Sequence, residues 1–230
     1  MAKRPPVVAI DGPSGSGKGT VSRLLAARLG WHLLDSGALY RLVALAAAQR
    51  GTALGDGAAL ATLTRSLKIA FAKPEAGEQV WLDDRDVTDI LRSQQSGEAA
   101  SQVARLPEVR SALLERQRAF AREPGLVADG RDMGTIVFPG AVLKVFLTAS
   151  PMERARRRYN QLKEKGISVS LRDLSREIAK RDLRDESRPV APLRAAEDAR
   201  IVDSTSLTPD EVVSRIVAWL RAAGVAPSEE

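Results

Sequence analysis

The hydrophobic and polar positions of this chain follow two different periods. Five short apolar runs are typical of buried strands, and they lie at residues 7–10, 31–34, 126–130, 143–149 and 199–205. The longer segments between them place apolar residues three and four positions apart, as an amphipathic helix does. Strands that alternate with helices in this way predict an α/β fold, whose central and mostly parallel sheet is flanked by helices.

The predicted helices begin and end at residues that favour helix boundaries. In the first helix, an apolar face is predicted to carry Val21, Leu24, Leu25 and Leu29, and Gly30 follows as a natural end. In the last helix, Thr208 is predicted to be the N-cap, with Pro209 at the first helical position. The predicted helices cover residues 18–30, 38–51, about 90–104, 107–122, 150–166, 170–188 and 208–224.

The pattern changes between the second and third helices. Residues 68–73 and 79–88 alternate like strands, and the turn-forming sequence PEAGE separates them. They predict a small antiparallel hairpin that is inserted into the α/β frame. We place this insert at about residues 53–97 and treat residues 1–230 as a single domain.

Composition excludes several classes of site. The chain has no cysteine, so disulfides and thiolate chemistry are excluded and a reducing compartment is expected. Its single histidine, His32, rules out a histidine-rich metal cluster. The N-terminal apolar run is too short for a signal peptide, and no stretch approaches the ~20 apolar residues of a membrane span. We therefore expect a cytoplasmic protein without a membrane partner.

The charge of the chain leaves its partner open. A net charge of +6 and a pI of about 10.0 favour a polyanionic partner, nucleic acid included. The surplus consists mostly of arginine, which grips phosphate and carboxylate groups, although a genome rich in arginine codons explains it equally well. Aromatic residues make up only 4%, which leaves few surfaces for stacking single-stranded bases. Composition alone does not separate a nucleotide from a polynucleotide.

The sequence IDGPSGSGKGT joins the first strand to the first helix and contains all but one residue of a Walker A phosphate loop. Its glycines let successive backbone amides point into a nest, and Lys18 adds a charge for the β- and γ-phosphates. Gly19 stands where the motif has a hydroxyl, so Thr20 or a water must supply that ligand to Mg²⁺. The predicted ATP-binding residues of the loop are Gly12, Pro13, Ser14, Gly15, Ser16, Gly17, Lys18, Gly19 and Thr20.

Other polar residues follow predicted strands or share one helix face. After two strands come Asp35, Ser36, Tyr40 and Arg41, and then Asp129, Gly130, Arg131, Asp132 and Thr135. Arg181, Asp185 and Arg188 are spaced i, i+4, i+7. Helix caps and a self-satisfied stripe of salt bridges are the structural alternatives. Together with the phosphate loop, these residues indicate one crevice beyond the carboxyl ends of the strands.

Six segments, in order along nearly the whole chain, resemble bacterial cytidylate kinases. They are IDGPSGSGKGT, WHLLDSGALYR, AASQVARLPEVRSALLERQRAF, VADGRDMGTIVFPGA, KRDLRDESRPVAPL and the late DST. The resemblance implies a P-loop kinase fold with a nucleoside-binding insert and a short lid, the lid here at about residues 157–172. It implies ATP as phosphoryl donor, Mg²⁺ as cofactor, and CMP or dCMP as acceptor. We expect a monomer without a nucleic-acid partner.

Chemistry and resemblance agree on how cytosine would be recognised. A carboxylate accepts a hydrogen bond from the N4 amine of cytosine, whereas the oxygen at that position of uracil would repel it. Asp132 is the predicted carboxylate, and the resemblance adds Ser101 and Arg110 for the other edge of the base. Without the resemblance, Ser101 and Arg110 would be ordinary residues of a helix surface.

The resemblance also distributes the remaining polar residues. It gives the ribose hydroxyls to Arg181 and Asp185 and a phosphate to Arg188. We expect the acceptor phosphate to be held by Arg41, Arg131 and Arg188, with Ser14 near the transfer path. The predicted catalytic residues are Lys18, Arg41, Arg131 and Arg188. Arg154, Arg157 and Arg158, on the helix that leads into the lid, are candidates for the phosphates and the adenine side of ATP. The predicted acceptor-binding residues are Ser14, Asp35, Ser36, Tyr40, Arg41, Ser101, Arg110, Gly130, Arg131, Asp132, Arg181, Asp185 and Arg188.

Two alternatives stay open at this point. The near one is another nucleoside monophosphate kinase, or a small-metabolite kinase with the same loop. The other is a basic, non-catalytic protein that binds nucleotides or RNA. The sequence does not distinguish CMP from dCMP as the preferred acceptor.

Overall fold

The computed structural model describes residues 5–71, 79–91, 93–164 and 166–225. The chain forms two compact units: one comprises Met1–Asp35 and Arg118–Glu230, and the other Ser36–Gln117. The strands are β1 (Val7–Asp11), β2 (His32–Asp35), β3 (Ile69–Phe71), β4 (Val80–Leu82), β5 (Arg85–Asp86), β6 (Leu126–Gly130), β7 (Leu143–Thr148) and β8 (Arg200–Asp203). The helices are α1 (Lys18–Leu29), α2 (Ser36–Gln49), α3 (Gly57–Ser66), α4 (Thr88–Leu91), α5 (Gln94–Val103), α6 (Pro107–Arg118), α7 (Pro151–Glu164), α8 (Leu171–Glu186) and α9 (Pro209–Ala222).

The first unit is built on a five-stranded parallel sheet with the strand order β2-β6-β1-β7-β8. The predicted parallel sheet and its five strands are therefore confirmed. In the register of the sheet, Asp11 lies beside Gly130 and Asp35 lies beside Asp129. Since the strands are parallel, these carboxyl ends fall on one edge of the sheet, which is where open α/β sheets bind ligands.

The core of this unit lies between the sheet and the helices that cover it. Val8 and Ile10 of β1 are fully buried in one cluster with Leu25 of α1 and Ile216 of α9. The predicted start of α9 is confirmed, because the Thr208 side chain caps the helix and Glu211 completes a capping box. Among the described residues, no helix is long and apolar enough to cross a membrane.

The second unit differs from its prediction in three places. Residues 79–88 form two strands rather than one, because Asp83 and Asp84 adopt left-handed turn conformations with φ of 48° and 65°. The resulting β3-β4-β5 sheet is antiparallel with three strands, and the predicted PEAGE turn lies outside the described residues. Sequence analysis missed α3, which Asp56 caps through the amide of Ala59. The helix predicted at 90–104 is divided into α4 and α5, and Ser93 caps the latter.

The loop between β6 and β7 contains an element that no periodicity predicts. Residues Met133–Val137 form a short π-helical turn, with Asp132 at its N-cap position. Such turns are rare and occur frequently at functional sites. This turn directly follows the DGRD sequence that carries the predicted cytosine-reading carboxylate.

Candidate phosphate-binding site

The glycine-rich loop has the strand–loop–helix context that its sequence predicts. Gly12, directly after β1, has φ of 149°, and a Cβ atom there would lie 2.0 Å from the carbonyl oxygen of Leu147 in β7. Only glycine allows the chain to turn this close to the neighbouring strand. Gly17, with φ of 91°, leads into α1, which begins at Lys18. The positive end of the α1 dipole therefore faces the loop.

Two arginines of α7 hold the carbonyl groups of this loop. Arg154 donates to the carbonyl oxygen of Ser14 at 3.1 Å and forms an ion pair with Asp182 at 2.6 Å. Arg157 donates to the carbonyl oxygen of Ser16 at 3.2 Å and to the carbonyl oxygen and hydroxyl of Ser204, after β8. These hydrogen bonds hold the backbone of the loop against α7, and the bonds of Arg157 to Ser204 connect it to the end of β8.

Lys18 is almost fully buried, with 5% of its surface exposed, and its Nζ donates to the carbonyl oxygen of Pro13 at 2.8 Å. Burial lowers the pKa of Lys18, and the positive charge of Arg131 adds to this effect, whereas Asp129 opposes it. A bound polyphosphate would favour the charged form. The environment of Lys18 thus fits a site that is completed by an anion.

The Ser16 hydroxyl is buried and has no hydrogen-bond partner in the described part of the chain. A buried polar group without a hydrogen-bond partner lowers the stability of the fold, and a ligand that supplies the partner is one explanation for such a group. Because Ser16 lies inside the loop whose glycines are predicted to form an anion nest, a phosphate oxygen fits this orphaned donor.

Gly19, which stands where the Walker A motif has a hydroxyl residue, lies next to the carboxylate of Asp129. A Cβ atom at Gly19 would lie 3.5 Å from Oδ2 of Asp129, at the end of β6. Burial raises the pKa of Asp129, Lys18 opposes the rise, and the Asp35 carboxylate adds to it. Among the described residues, no group of three or more His, Cys, Asp or Glu could hold a metal ion. Asp129, beside Gly19 of the phosphate loop, offers a carboxylate oxygen of the kind Mg²⁺ prefers.

Three predicted acceptor residues meet in a buried ionic cluster. Asp185, with 1% of its side chain exposed, accepts from Nε of Arg131 at 2.9 Å and from Arg188. Burial favours the neutral acid, but Arg131 and Arg188 hold the pKa of Asp185 below its ordinary value. Burial likewise opposes the charge on Arg131, and Asp185 raises its pKa. Asp185 thus pairs with Arg188 from its own stripe and also with Arg131, which follows β6.

Asp132 lies next to this cluster in the chain and is 3% exposed. Although it occupies the N-cap position of the π-helical turn, its side chain makes no capping hydrogen bond. The amides of Met133 and Gly134 instead donate to Oδ1 and Oδ2 of Asp11, each at 2.8 Å. Burial raises the pKa of Asp11 to about 7, while the bonds from Gly134 and Met133 oppose the rise.

A cavity of about 500 Å³ opens beside the phosphate loop. Its volume lies in the range of small-molecule sites. Arg157 and Arg158, both predicted to contact ATP, line it together with Thr20. Sequence analysis missed the segment after β8 that forms another wall; the late DST sequence, at the carboxyl end of a strand, was the available signal. The lining residues of that wall are Ser204, Thr205, Ser206, Leu207, Thr208 and Pro209.

The second unit contains the predicted residues Ser36, Tyr40, Arg41, Ser101 and Arg110. Ser36, Tyr40 and Arg41 lie in the first part of α2, which packs against α5. Arg110 of α6 lies over the ring of Tyr40, with Cζ 5.8 Å from the ring centre, and donates to the carbonyl oxygen of Ala104. Ser101 of α5 is 3% exposed, and its hydroxyl has no partner among the described residues.

The burial of Ser101 and Arg110 corrects the interpretation from sequence alone, which treated both as residues of a helix surface. Arg110 is only 8% exposed. Ser101 is 3% exposed, and its helix α5 packs against α2. Local sequence does not reveal this packing, and a buried serine without a partner agrees with a ligand-binding role.

Comparison with known proteins gives consistent matches over the whole chain. The family model described as cytidylate kinase matches residues 8–222. The cytidylate kinase of Azotobacter vinelandii is 58% identical over 228 residues, covering 98% of this chain and 100% of that protein. The cytidylate kinase of Nitrosococcus oceani is 55% identical over 222 residues, covering 96% of this chain and 98% of that protein. The cytidylate kinase of Pseudomonas syringae pv. syringae is 57% identical over 228 residues, with 98% and 100% covered.

Proposed function

The chain belongs to the cytidylate kinase family, and we propose that it transfers the γ-phosphoryl group of ATP to CMP or dCMP, giving ADP and CDP or dCDP. The observation that carries this proposal is the phosphate loop with buried Lys18, which shares one sheet edge with the Arg131–Asp185–Arg188 cluster. A donor site and a set of acceptor-binding arginines are both required for phosphoryl transfer between two nucleotides.

On the donor side, the loop amides, Lys18 and the Ser16 hydroxyl are proposed to hold the phosphates of ATP. The cavity next to the loop would then take the nucleoside, between α7 and the segment after β8. Arg158 lines this cavity. The three nitrogens of the Arg157 guanidinium donate to Glu153, Ser16 and Ser204. We therefore expect Arg157 to hold the loop and the cavity wall in place.

Mg²⁺ would be held by the nucleotide phosphates, by Thr20 and by Asp129, directly or through water. The chemistry that the ion would supply when bound is positive charge against the negative charge of the transferring phosphoryl group. Thr20 lines the cavity beside the loop, and the Asp129 carboxylate lies next to Gly19. The residues present therefore fit a cation that is coordinated largely by its nucleotide.

On the acceptor side, Arg131 and Arg188 are proposed to bind the phosphate of CMP, with Arg41 as a further arginine predicted from the sequence. The carboxylate of Asp185 keeps both guanidinium groups in place. A carboxylate has about four acceptor positions, so Asp185 can also accept from a ribose hydroxyl. Arg181, one helical turn earlier, is the proposed second ribose contact.

Cytosine would be recognised through Asp132, which is proposed to accept from the N4 amine. Ser101 and Arg110 of the second unit are proposed for the other edge of the base. Ser101 has a buried hydroxyl without a partner among the described residues, which is the property that a base-contacting group needs before its ligand binds. Asp35, Ser36, Tyr40 and Gly130 remain proposed acceptor contacts.

The acceptor phosphate is ionised at neutral pH, so the reaction needs no general base. Catalysis then consists of aligning two polyanions and neutralising the charge of the transition state. An arginine placed on a transferring phosphoryl group contributes ~10³–10⁵ in rate. The lid at about residues 157–172 and the insert at about 53–97 are proposed to exclude water when both substrates are bound. We expect the protein to act as a cytoplasmic monomer.

The experiment that tests the proposal measures ADP release from ATP with CMP, dCMP, UMP, AMP and GMP as acceptors. The proposal predicts release with CMP or dCMP at a kcat/KM at least about tenfold above the other acceptors. A protein most active on AMP or GMP would be a different monophosphate kinase. Salt-dependent binding of RNA without any ADP release would indicate the non-catalytic alternative.

A further inference from the structure

The π-helical turn after Asp132 is capped by a side chain from another strand. Its first two amides, those of Met133 and Gly134, both donate to the carboxylate of Asp11, at the end of β1. The residue at the N-cap position usually supplies such an acceptor. Here Asp132 occupies that position without making the capping bond. Asp11 has therefore taken over a task that would otherwise occupy the side chain of Asp132.

Arg118 and Lys144 also contact the turn, but neither side chain has an acceptor atom for its amides. Arg118 donates to the carbonyl oxygens of Val137 and Ile136, at the last residues of the turn. The stem of Lys144 packs beside Gly134, where a Cβ atom would lie 3.1 Å from its Cδ. Asp11 is thus the side chain that holds the end of the turn adjoining Asp132.

We propose that Asp11 is a positioning residue for acceptor recognition: it caps the π-helical turn so that the Asp132 carboxylate is kept for the amine of a cytosine base. The proposal rests on the proposed function, in which Asp132 reads the base. Asp11 also directly precedes Gly12, so one side chain links the start of the phosphate loop to the turn that follows the base-reading residue.

The chemistry of asparagine gives a sharp test of this role. Asp11→Asn has almost the same shape but one accepting oxygen, and its amino group would face an amide that also donates. One amide of the turn then lacks its acceptor, and we expect the carboxylate of Asp132, at the N-cap position, to cap it. Asp132 would be drawn from the base, while the groups that bind ATP phosphates stay in place.

The measurement compares kcat/KM for CMP with kcat/KM for UMP in wild type, Asp11→Asn, Asp132→Asn and the double variant. Assays at about pH 8.5 keep Asp11 ionised. We expect Asp11→Asn to lower the CMP/UMP ratio at least about fivefold. The dissociation constant of ATP should change less than about threefold. The double variant should have the same ratio as Asp132→Asn alone, because Asp11 acts through Asp132.

Controls separate positioning from general damage to the fold. Ile216→Ala removes a fully buried core side chain of α9 and should lower stability while leaving the CMP/UMP ratio unchanged. Asp11→Ser, which retains one accepting hydroxyl, should give a loss of ratio in the same direction as Asp11→Asn. The CMP/UMP ratio of a variant does not depend on the fraction of its molecules that is correctly folded, because that fraction affects both kcat/KM values equally.

Two results would overturn the proposal in distinguishable ways. If Asp132→Asn lowers the ratio but Asp11→Asn and Asp11→Ser do not, or if the effects multiply in the double variant, Asp11 has no role through Asp132. If Asp132→Asn itself leaves the ratio unchanged, the proposed reading of cytosine fails, and the role of Asp11 fails with it.

Discussion

Lys18 shows at the scale of one residue how the site depends on its ligand. Its ammonium is buried, donates to the carbonyl of Pro13 and lies in the field of Arg131, all in the absence of a polyanion. Burial lowers its pKa below the ordinary value, so the free protein holds the proton of Lys18 less firmly than an exposed lysine does. A bound triphosphate reverses the balance by favouring the charged form.

We therefore predict that ATP binding draws a proton from the buffer at about pH 9, below the ordinary lysine pKa of ~10.4. Calorimetry in two buffers of different ionisation enthalpy measures this uptake. Lys18→Arg stays charged at this pH, so its binding should take up no proton. Equal binding heats in both buffers for the wild type, or unchanged uptake in Lys18→Arg, would contradict the assignment of the titrating group.

Asp132 carries the second prediction at this scale. Asp132→Asn replaces a charged group that only accepts by a neutral one that can also donate. Its bond from the N4 amine is therefore weaker, and its NH₂ group can donate to the O4 oxygen of uracil. We expect kcat/KM for CMP to fall by about 10–100-fold, with a higher UMP/CMP ratio and nearly unchanged ATP binding. Steady-state kinetics with both acceptors measures this. Intact CMP turnover in the variant would remove Asp132 from base recognition.

Helix α7 shows how an element contributes to a site that another element forms. Its residues Arg154 and Arg157 bind the carbonyl oxygens of Ser14 and Ser16, and so fix the backbone of the phosphate loop from one side. Gly15 fits against the same helix, since a Cβ atom there would lie 3.0 Å from Cβ of Arg154. The loop is thus preorganised by packing and hydrogen bonds outside the predicted anion nest.

Arg154→Lys should weaken this arrangement. Lysine cannot reproduce the forked contacts with Ala149, Ser14 and Asp182, so we expect stability to fall by about 1.5–3 kcal/mol and ATP affinity to fall severalfold. Thermal unfolding and equilibrium ATP binding measure the two effects. Arg176→Ala is the matched control, because it removes only an exposed pair with Asp173 on α8. An Arg154→Lys variant that behaves like this control would show that α7 does not support the loop.

The elements differ in how far the sequence predicts them. The five parallel strands and α9 were predictable, because their patterns of burial and their caps are local properties of the chain. The π-helical turn was not, because its amides are satisfied by Asp11, which lies 122 residues away from Met133 in sequence. The division of residues 79–88 was also missed, since it depends on left-handed conformations at Asp83 and Asp84.

The same distinction applies to the candidate site. The phosphate loop could be recognised from its own spacing of glycines and lysine. The proximity of Asp129 to Gly19 and the pairing of Asp185 with Arg131 could not, because each joins residues from elements far apart in the chain. The burial of Ser101 could not be predicted either, because it depends on tertiary packing that a helical pattern does not specify.

At the scale of the whole molecule, charge and site chemistry point in the same direction. The net charge of +6 favours anionic ligands in general, but the arginines described in the site are committed to particular carboxylates and carbonyl groups. Such fixed groups recognise ligands of defined shape, whereas a binder of polynucleotide backbones needs exposed cations along a groove. We therefore attribute the basic character of the chain to the two proposed phosphate sites rather than to a polynucleotide partner.

The most direct test of this account is a product balance. Purified protein is incubated with ATP, Mg²⁺ and CMP, and the nucleotides are separated and quantified over time. The account predicts that ADP and CDP appear in equal amounts, that CMP falls by the same amount, and that Lys18→Ala abolishes the conversion. ADP formed without CDP would mean that water, not CMP, is the acceptor. If protein that binds ATP forms neither ADP nor CDP, this result contradicts the assignment of the chain as a CMP kinase.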